Sequence, residues 1–220
     1  MTGIIHDCEQ RTPEWFALRS KCILTASDFG TFMVAAKTET QKTARRKAIL
    51  KSIRRDLAEF GTVPQDDWEK RIEEQDSKKL DYNLAVQRGI ALESEARAHY
   101  AELMEMPVVE NGFITTECGN WGCSPDGICR GSGLEIKCPL PETHLKYLLD
   151  GDLPTEYVYQ VHGSIAITGI PWVFMSYCPG APPMIVTVES NDITEQLRFG
   201  MSQMAEEKRQ IMAELKGLWT

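Results

Sequence analysis

The sequence predicts an α/β fold: a short mixed β-sheet flanked by helices on both sides. Three observations predict it. Stretches with helical apolar spacing alternate with short apolar runs bounded by Gly and Pro. A chain of 220 residues with 42% apolar content can fill one core. No internal repeat or low-complexity linker divides it, so residues 1–220 read as a single domain.

The elements follow in order. Glu14–Arg19 reads as a short helix, and TASDFGTFM as a second one capped by Thr25 or Ser27. Thr38–Phe60 reads as a basic helix with an acidic tail, burying Ala44, Ala48, Ile53 and Leu57. Residues 61–65 read as a turn, and 66–81 as a strongly charged helix or excursion. Asn83–Met106 is a long helical pattern closed by Pro107. Val108–Thr116 reads as a strand, followed by glycine-rich turns around Trp121. Pro125–Gly127 reads as a turn and Leu134–Cys138 as a short strand stopped by Pro139. Glu142–Leu149 and Glu156–Thr168 read as helices, separated by a break at Gly151–Pro154. Trp172–Cys178 and Met184–Val188 read as a hairpin or adjacent strands. Asn191–Leu218 is one long terminal helix, with a stripe of Ile193, Leu197, Met201, Met204, Ile211 and Leu215.

Composition narrows the function. The net charge of −8 (24 Lys+Arg against 32 Asp+Glu) argues against simple coating of nucleic acid. It leaves room for an enzyme that concentrates positive charge in a channel. Lys42–Arg55 is such a concentration, with seven basic residues and no acidic one. Arg45, Arg46 and Lys47 within it are candidate DNA contacts. No apolar stretch reaches the ~18 residues of a membrane span. The opening MTGIIHDCEQ lacks a basic head followed by an apolar run, so no signal peptide is expected. Seven Cys, an odd number without framework spacing, fit a reducing cytoplasm. Cys118, Cys123, Cys129 and Cys138 are separated by 4, 5 and 8 residues and contain no C-x2-C unit, which disfavours a metal–thiolate site.

The central segment, Ser124–Pro139, reads SPDGICRGSGLEIKCP. On a strand, Glu135 and Lys137 share one face and Ile136 takes the other. If the Pro-Asp-Gly turn folds back against that strand, Asp126 and Glu135 converge beside Lys137. Two carboxylates and an ammonium suit a hard divalent cation and an activated water, the equipment for phosphodiester hydrolysis.

The chain resembles the lambda-type exonucleases of phage recombination systems, also called YqaJ-like viral recombinases, a branch of the nucleases sharing the restriction-endonuclease core. The matching residues span nearly the whole chain: Trp15, Arg19 and Leu24-Thr25-Ala26-Ser27; Gly89, Glu93 and Ala96-Arg97; Cys123–Gly127 and Leu134–Pro139; Tyr157, Gln160 and Val161. Leu24 stands where Ile is more usual, His162 where a second Gln is common, and residues 35–82 match poorly.

The resemblance implies a restriction-endonuclease-like core and a Mg²⁺-dependent nuclease, with Mn²⁺ also supporting activity. The implied metal ligands are Asp126, Glu135, the Ile136 carbonyl and Glu93. Lys137 would orient the attacking water and offset phosphorane charge, and Gln160 would fix water geometry. Tyr157, on the face of Gln160, would pack beneath Lys137 or touch substrate. Arg19, Ser27 and Ser124 would hold a terminal 5′-phosphate. The implied activity is 5′-to-3′ degradation of one strand of linear duplex DNA, releasing mononucleotides and leaving a 3′ tail. A homotrimeric ring, a single-strand annealing partner and a bacterial or phage-infected cytoplasm are implied as well. An endonuclease on the same core, or a non-catalytic DNA-end-binding protein, are the alternatives.

Overall fold

A computed structural model describes residues 3–32, 38–59 and 84–218. The α/β class is as predicted, but the strands form two four-stranded sheets rather than one. The first contains β1 (Ile4–His6), β2 (Leu24–Thr25), β3 (Phe113–Thr115) and β4 (Trp121–Cys123), in the order β1-β3-β4-β2. β3 runs antiparallel to β1 and β4, and β2 runs parallel to β4. β1 and β2 are only three and two residues long, too short to display a period of two in sequence. The expected strand at Val108–Thr116 shrinks to β3.

The second sheet contains β5 (Gly127–Cys129), β6 (Ser132–Lys137), β7 (Trp172–Ser176) and β8 (Met184–Val188), in chain order. β5 and β6 form a hairpin in which Cys129 pairs with Ser132. Its two-residue turn, Arg130–Gly131, has φ of 52° and 78°, the left-handed pair that suits the strand twist. The chain therefore reverses there, not at the expected Pro125–Gly127 turn, which instead leads into β5. β6 and β7 are parallel, joined through α5 (Pro141–Asp150) and α6 (Val158–Thr168), and β7–β8 is the expected antiparallel pair. Gly151, at φ 70°, ends α5 in the left-handed conformation.

The other helices are α1 (Pro13–Lys21), α2 (Phe29–Phe32), α3 (Glu39–Glu59), α4 (Leu84–Met104) and α7 (Asp192–Leu218). A 3₁₀ turn, Ala26–Asp28, leads into α2. The Asp28 carboxylate accepts from both the backbone N–H and the hydroxyl of Thr25, so Thr25 is the cap and Ser27 lies inside the turn. The turn expected at 61–65 and the charged helix or excursion expected at 66–81 lie outside the described residues. No helix among the described residues is long and apolar enough to cross a membrane.

Alternation along the second sheet builds two cores and positions the site. Leu134, Ile136, Val173 and Met175 pack with Ala96 and Tyr100 of α4. Trp172 and Phe174 face the other way, into a larger core with Val161 and Ile165 of α6, Leu197 and Met201 of α7, and Ile114 and Trp121 of the first sheet. Gly163 of α6 permits a close approach, because a Cβ there would lie 2.6 Å from the Phe29 ring. α3 buries Ile53 of the predicted stripe together with Ile49 and Ser52; Ala44 and Ala48 are half-buried, and the Leu57 side chain lies outside the described residues. In α7 the predicted stripe packs into the core, and Lys208 continues it. Its Nζ donates to Ser52 Oγ (2.8 Å) and Asn120 Oδ1 (2.9 Å).

Candidate active site

The Gly127–Leu134 pairing sets Asp126 beside the Glu135–Ile136 peptide. Asp126 donates its N–H to the Leu134 carbonyl (2.9 Å), and its Oδ2 accepts from the Ile136 N–H (2.6 Å). Glu135 is buried, 3% exposed. Its Oε1 accepts from Lys137 Nζ (2.5 Å) and from Gln160 Nε2 of α6 (2.6 Å). Lys137 Nζ lies 5.3 Å from the centroid of the Tyr157 ring, a cation–π contact. Tyr157 in turn stacks on Phe174 at 5.1 Å. Asp126, Glu135, Ile136, Lys137 and Gln160 therefore meet at one end of the hairpin.

The electrostatics follow from burial. The Asp126 carboxyl is pushed up to about 8 by burial and by the Glu135 and Glu93 carboxylates; Lys137 and the Ile136 N–H oppose this only in part. For Lys137, burial works against the charge, but Glu135 and Asp126 outweigh it and hold the ammonium above its usual range. This direction favours the charged ammonium at Lys137.

The donor set fits a hard divalent cation. Asp126 and Glu135 are carboxylates, and among the described residues each has one oxygen engaged by the protein. The N–H and C=O of one strand residue point to the same side. The Ile136 N–H bonds Asp126, so its carbonyl faces the Asp126 edge of β6 as well. A buried carboxyl crowded by acids is a group that a cation would relieve. Among the described residues, no three His, Cys, Asp or Glu side chains form a ready cage. Glu93, expected as a ligand, has Oε1 held by Arg97 (2.9 Å) and Oε2 by Arg11 (2.8 Å). Sequence reasoning gave neither Arg97 nor Arg11 a role at the site. The former carried a usable signal, lying four residues after Glu93 on one helix face.

Of the three predicted phosphate residues, Arg19 and Ser124 contact Trp15, and Ser27 is linked to Arg19 through Thr25. The Arg19 guanidinium sits 4.6 Å from the Trp15 ring centroid and donates to Thr25 Oγ1 (3.2 Å), which is 3.0 Å from Ser27 Oγ. Trp15 Nε1 donates to Ser124 Oγ (2.9 Å) and, at 3.2 Å, to the Gly112 carbonyl. Burial lowers the Arg19 pKa, against Asp28, and no described residue forms an ion pair with it. The sequence marked Trp15 as a motif residue without a role; its bridging position is a tertiary fact.

The predicted DNA contacts divide. Arg46 and Lys47 are exposed. Arg45 is turned against α7, its Nε 3.9 Å from Glu207 and its side chain only 15% exposed, because it occupies the helix flank that packs there.

A family profile described as YqaJ-like viral recombinase domain matches residues 14–171. No curated protein matches the sequence. The alkaline exonuclease LHK-Exo from Laribacter hongkongensis is 26% identical, with a TM-score of 0.64, covering 94% of this chain and 100% of its own. Its complex with dAMP gives a TM-score of 0.63 at the same identity and coverage. A phage related exonuclease from Haemophilus somnus 129PT, 14% identical, covers 87% of this chain and 95% of its own with a TM-score of 0.53, a likeness of fold. The shared architecture is the restriction-endonuclease-like core.

Proposed function

Since the chain belongs to the YqaJ-like viral recombinase family, we propose that it is a Mg²⁺-dependent 5′-to-3′ exonuclease acting on linear double-stranded DNA. It would begin at a 5′-phosphorylated end, release mononucleotides and leave a 3′ single-stranded tail for recombination. The observation that carries this reading is the meeting of Asp126, Glu135, Lys137 and Gln160 at one hairpin end. The binding of dAMP by a relative of 26% identity supports a mononucleotide product.

Asp126, Glu135 and the Ile136 carbonyl would hold Mg²⁺, and Mn²⁺ would fit the same oxygen donors. Bound there, the ion supplies Lewis acidity to the scissile phosphate and a more acidic water. Glu93 would join directly or through water, on exchanging one of its arginine contacts. Lys137, pinned between Glu135 and the Tyr157 ring, presents positive charge to the developing phosphorane. Gln160 spends its amide N–H on Glu135, which leaves its carbonyl to accept from the attacking water and orient it. Arg19, Ser27 and Ser124 would hold the terminal phosphate. A half-buried guanidinium without an ion pair among the described residues presents its fork to phosphate oxygens.

The test is a time course on linear duplex labelled separately at its 5′ and 3′ ends, with and without a 5′-phosphate. Early release of the 5′ label and late loss of the 3′ label are expected. The reverse order would reject the polarity, and rapid cutting of a closed circle would make the protein an endonuclease. Arg19→Ala should slow initiation on phosphorylated ends by about 2–5 kcal/mol and spare hydroxyl ends. Equal losses on both would make Arg19 structural. Undiminished digestion by both Asp126→Ala and Lys137→Ala would remove the active-site assignment.

A further inference from the structure

Arg97 uses all three guanidinium nitrogens. Its Nε donates to the Asp126 backbone carbonyl (2.6 Å), its Nη2 to Glu93 Oε1 (2.9 Å), and its Nη1 reaches Glu110 Oε1 (2.9 Å). The side chain is 14% exposed. Among the described residues, Asp126 is otherwise tied only to β6, through its N–H to Leu134 and its carboxylate to Ile136. Arg97 is therefore its link to α4, the helix that carries Glu93. The next residue, Gly127, runs so close to Val108 that a Cβ would lie 2.2 Å from its Cγ1. The backbone at Asp126 is thus hemmed in on one side and gripped by Arg97 through its carbonyl.

We infer that Arg97 is a positioning residue: by holding the Asp126 backbone and the Glu93 carboxylate with one rigid fork, it sets the spacing of the carboxylates that bind the cation. The inference rests on the reading of Asp126 and Glu135 as metal ligands. A planar fork fixes two acceptors at a defined separation; a lysine ammonium is a point charge on a flexible stem. Electrostatics alone would give the opposite outcome, since removing a cation from an acidic cluster strengthens the binding of another cation. The sign of the change therefore separates positioning from charge.

The experiment measures Mn²⁺ binding by electron paramagnetic resonance in the intact protein, without DNA. The proteins are wild type, Arg97→Ala, Arg97→Lys and Glu110→Gln, each checked for folding by circular dichroism. The expected result is a dissociation constant about 10- to 100-fold higher in both Arg97 variants, the range for residues that orient metal ligands. Glu110→Gln, which only neutralises the exposed limb, should bind like wild type. Arg97→Lys keeps the charge and carries the test if Arg97→Ala does not fold. Unchanged or tighter Mn²⁺ binding in a folded Arg97 variant would overturn the inference, as would an equal loss in Glu110→Gln. Failure of the wild type to bind Mn²⁺ would instead remove the metal reading on which both proposals stand.

Discussion

Asp126 has both main-chain groups hydrogen-bonded, and its carboxyl, bonded to the Ile136 N–H, resists ionisation. Burial and its acidic neighbours raise its folded-state pKa to about 8, well above the ordinary carboxylate range. Its protonation therefore favours the folded state. That contribution is complete below pH ~4 and is lost as pH rises towards 8. In chelator, Asp126→Asn should melt above wild type at pH 8, and the gap should close at pH 4. Each kcal/mol gained corresponds to about 2–4 °C in a domain of this size. A lower melting temperature for the variant at pH 8 would contradict this assignment. The common face of Glu135 and Lys137 was legible because a strand has a period of two. The grip of Arg97 on a main-chain carbonyl was not, since no side-chain pattern marks which carbonyl lies within reach.

The β5–β6 hairpin was half legible. Its second strand announces itself through Leu134, Ile136 and Pro139, whereas its first strand is only three residues long. The α3 helix was legible as a helix, and Ile53 of its expected stripe is buried, but Ile49 rather than Ala44 or Ala48 joins it. Small Ala44 and Ala48 bury little surface, so Ile49 and Ile53, at 0% and 2% exposure, take the core. This divides the helix by function. Ile49→Ala should destabilise by about 2–5 kcal/mol in denaturant unfolding. Arg46→Ala with Lys47→Ala should stay within about 0.5 kcal/mol of wild type per site. Arg45 packs against α7 beside Glu207, so its substitution would disturb packing as well as any DNA contact. Lys208 shows the limit of pattern reading: a lysine in an apolar stripe reads as an interruption, yet Ser52 and Asn120 receive it.

A net charge of −8 must be reconciled with a DNA substrate. A homotrimeric ring, carried here from the family, would do so by turning basic segments inward, and the exposed Arg46 and Lys47 are candidates for its lining. Light scattering should then give the mass of three chains; a monomer at working concentration would reject the ring. Replacing Arg46 and Lys47 should weaken duplex binding and flatten its salt dependence, by about 0.9 in log–log slope for each phosphate that is no longer neutralised. An unchanged slope would place the DNA elsewhere. The single-strand annealing protein remains a proposed partner for the 3′ tail.

The sequence by itself determined the α/β class, the order of the long helices, the β7–β8 pair and the convergence of Asp126, Glu135 and Lys137. These depend on local periodicity and on motif residues close together in the chain, Asp126 and Glu135 being separated by eight positions. Gln160, 25 positions from Glu135, entered only through the family resemblance. Only the tertiary structure decided that the strands divide into two sheets, that Glu93 is shared between two arginines, and that Trp15 joins Arg19 to Ser124. Trp15 and Ser124 are 109 positions apart, Arg11 and Glu93 82 apart. Contacts at such separations are set by how the cores pack, and no local pattern in the chain encodes the geometry at which two distant polar groups come to rest.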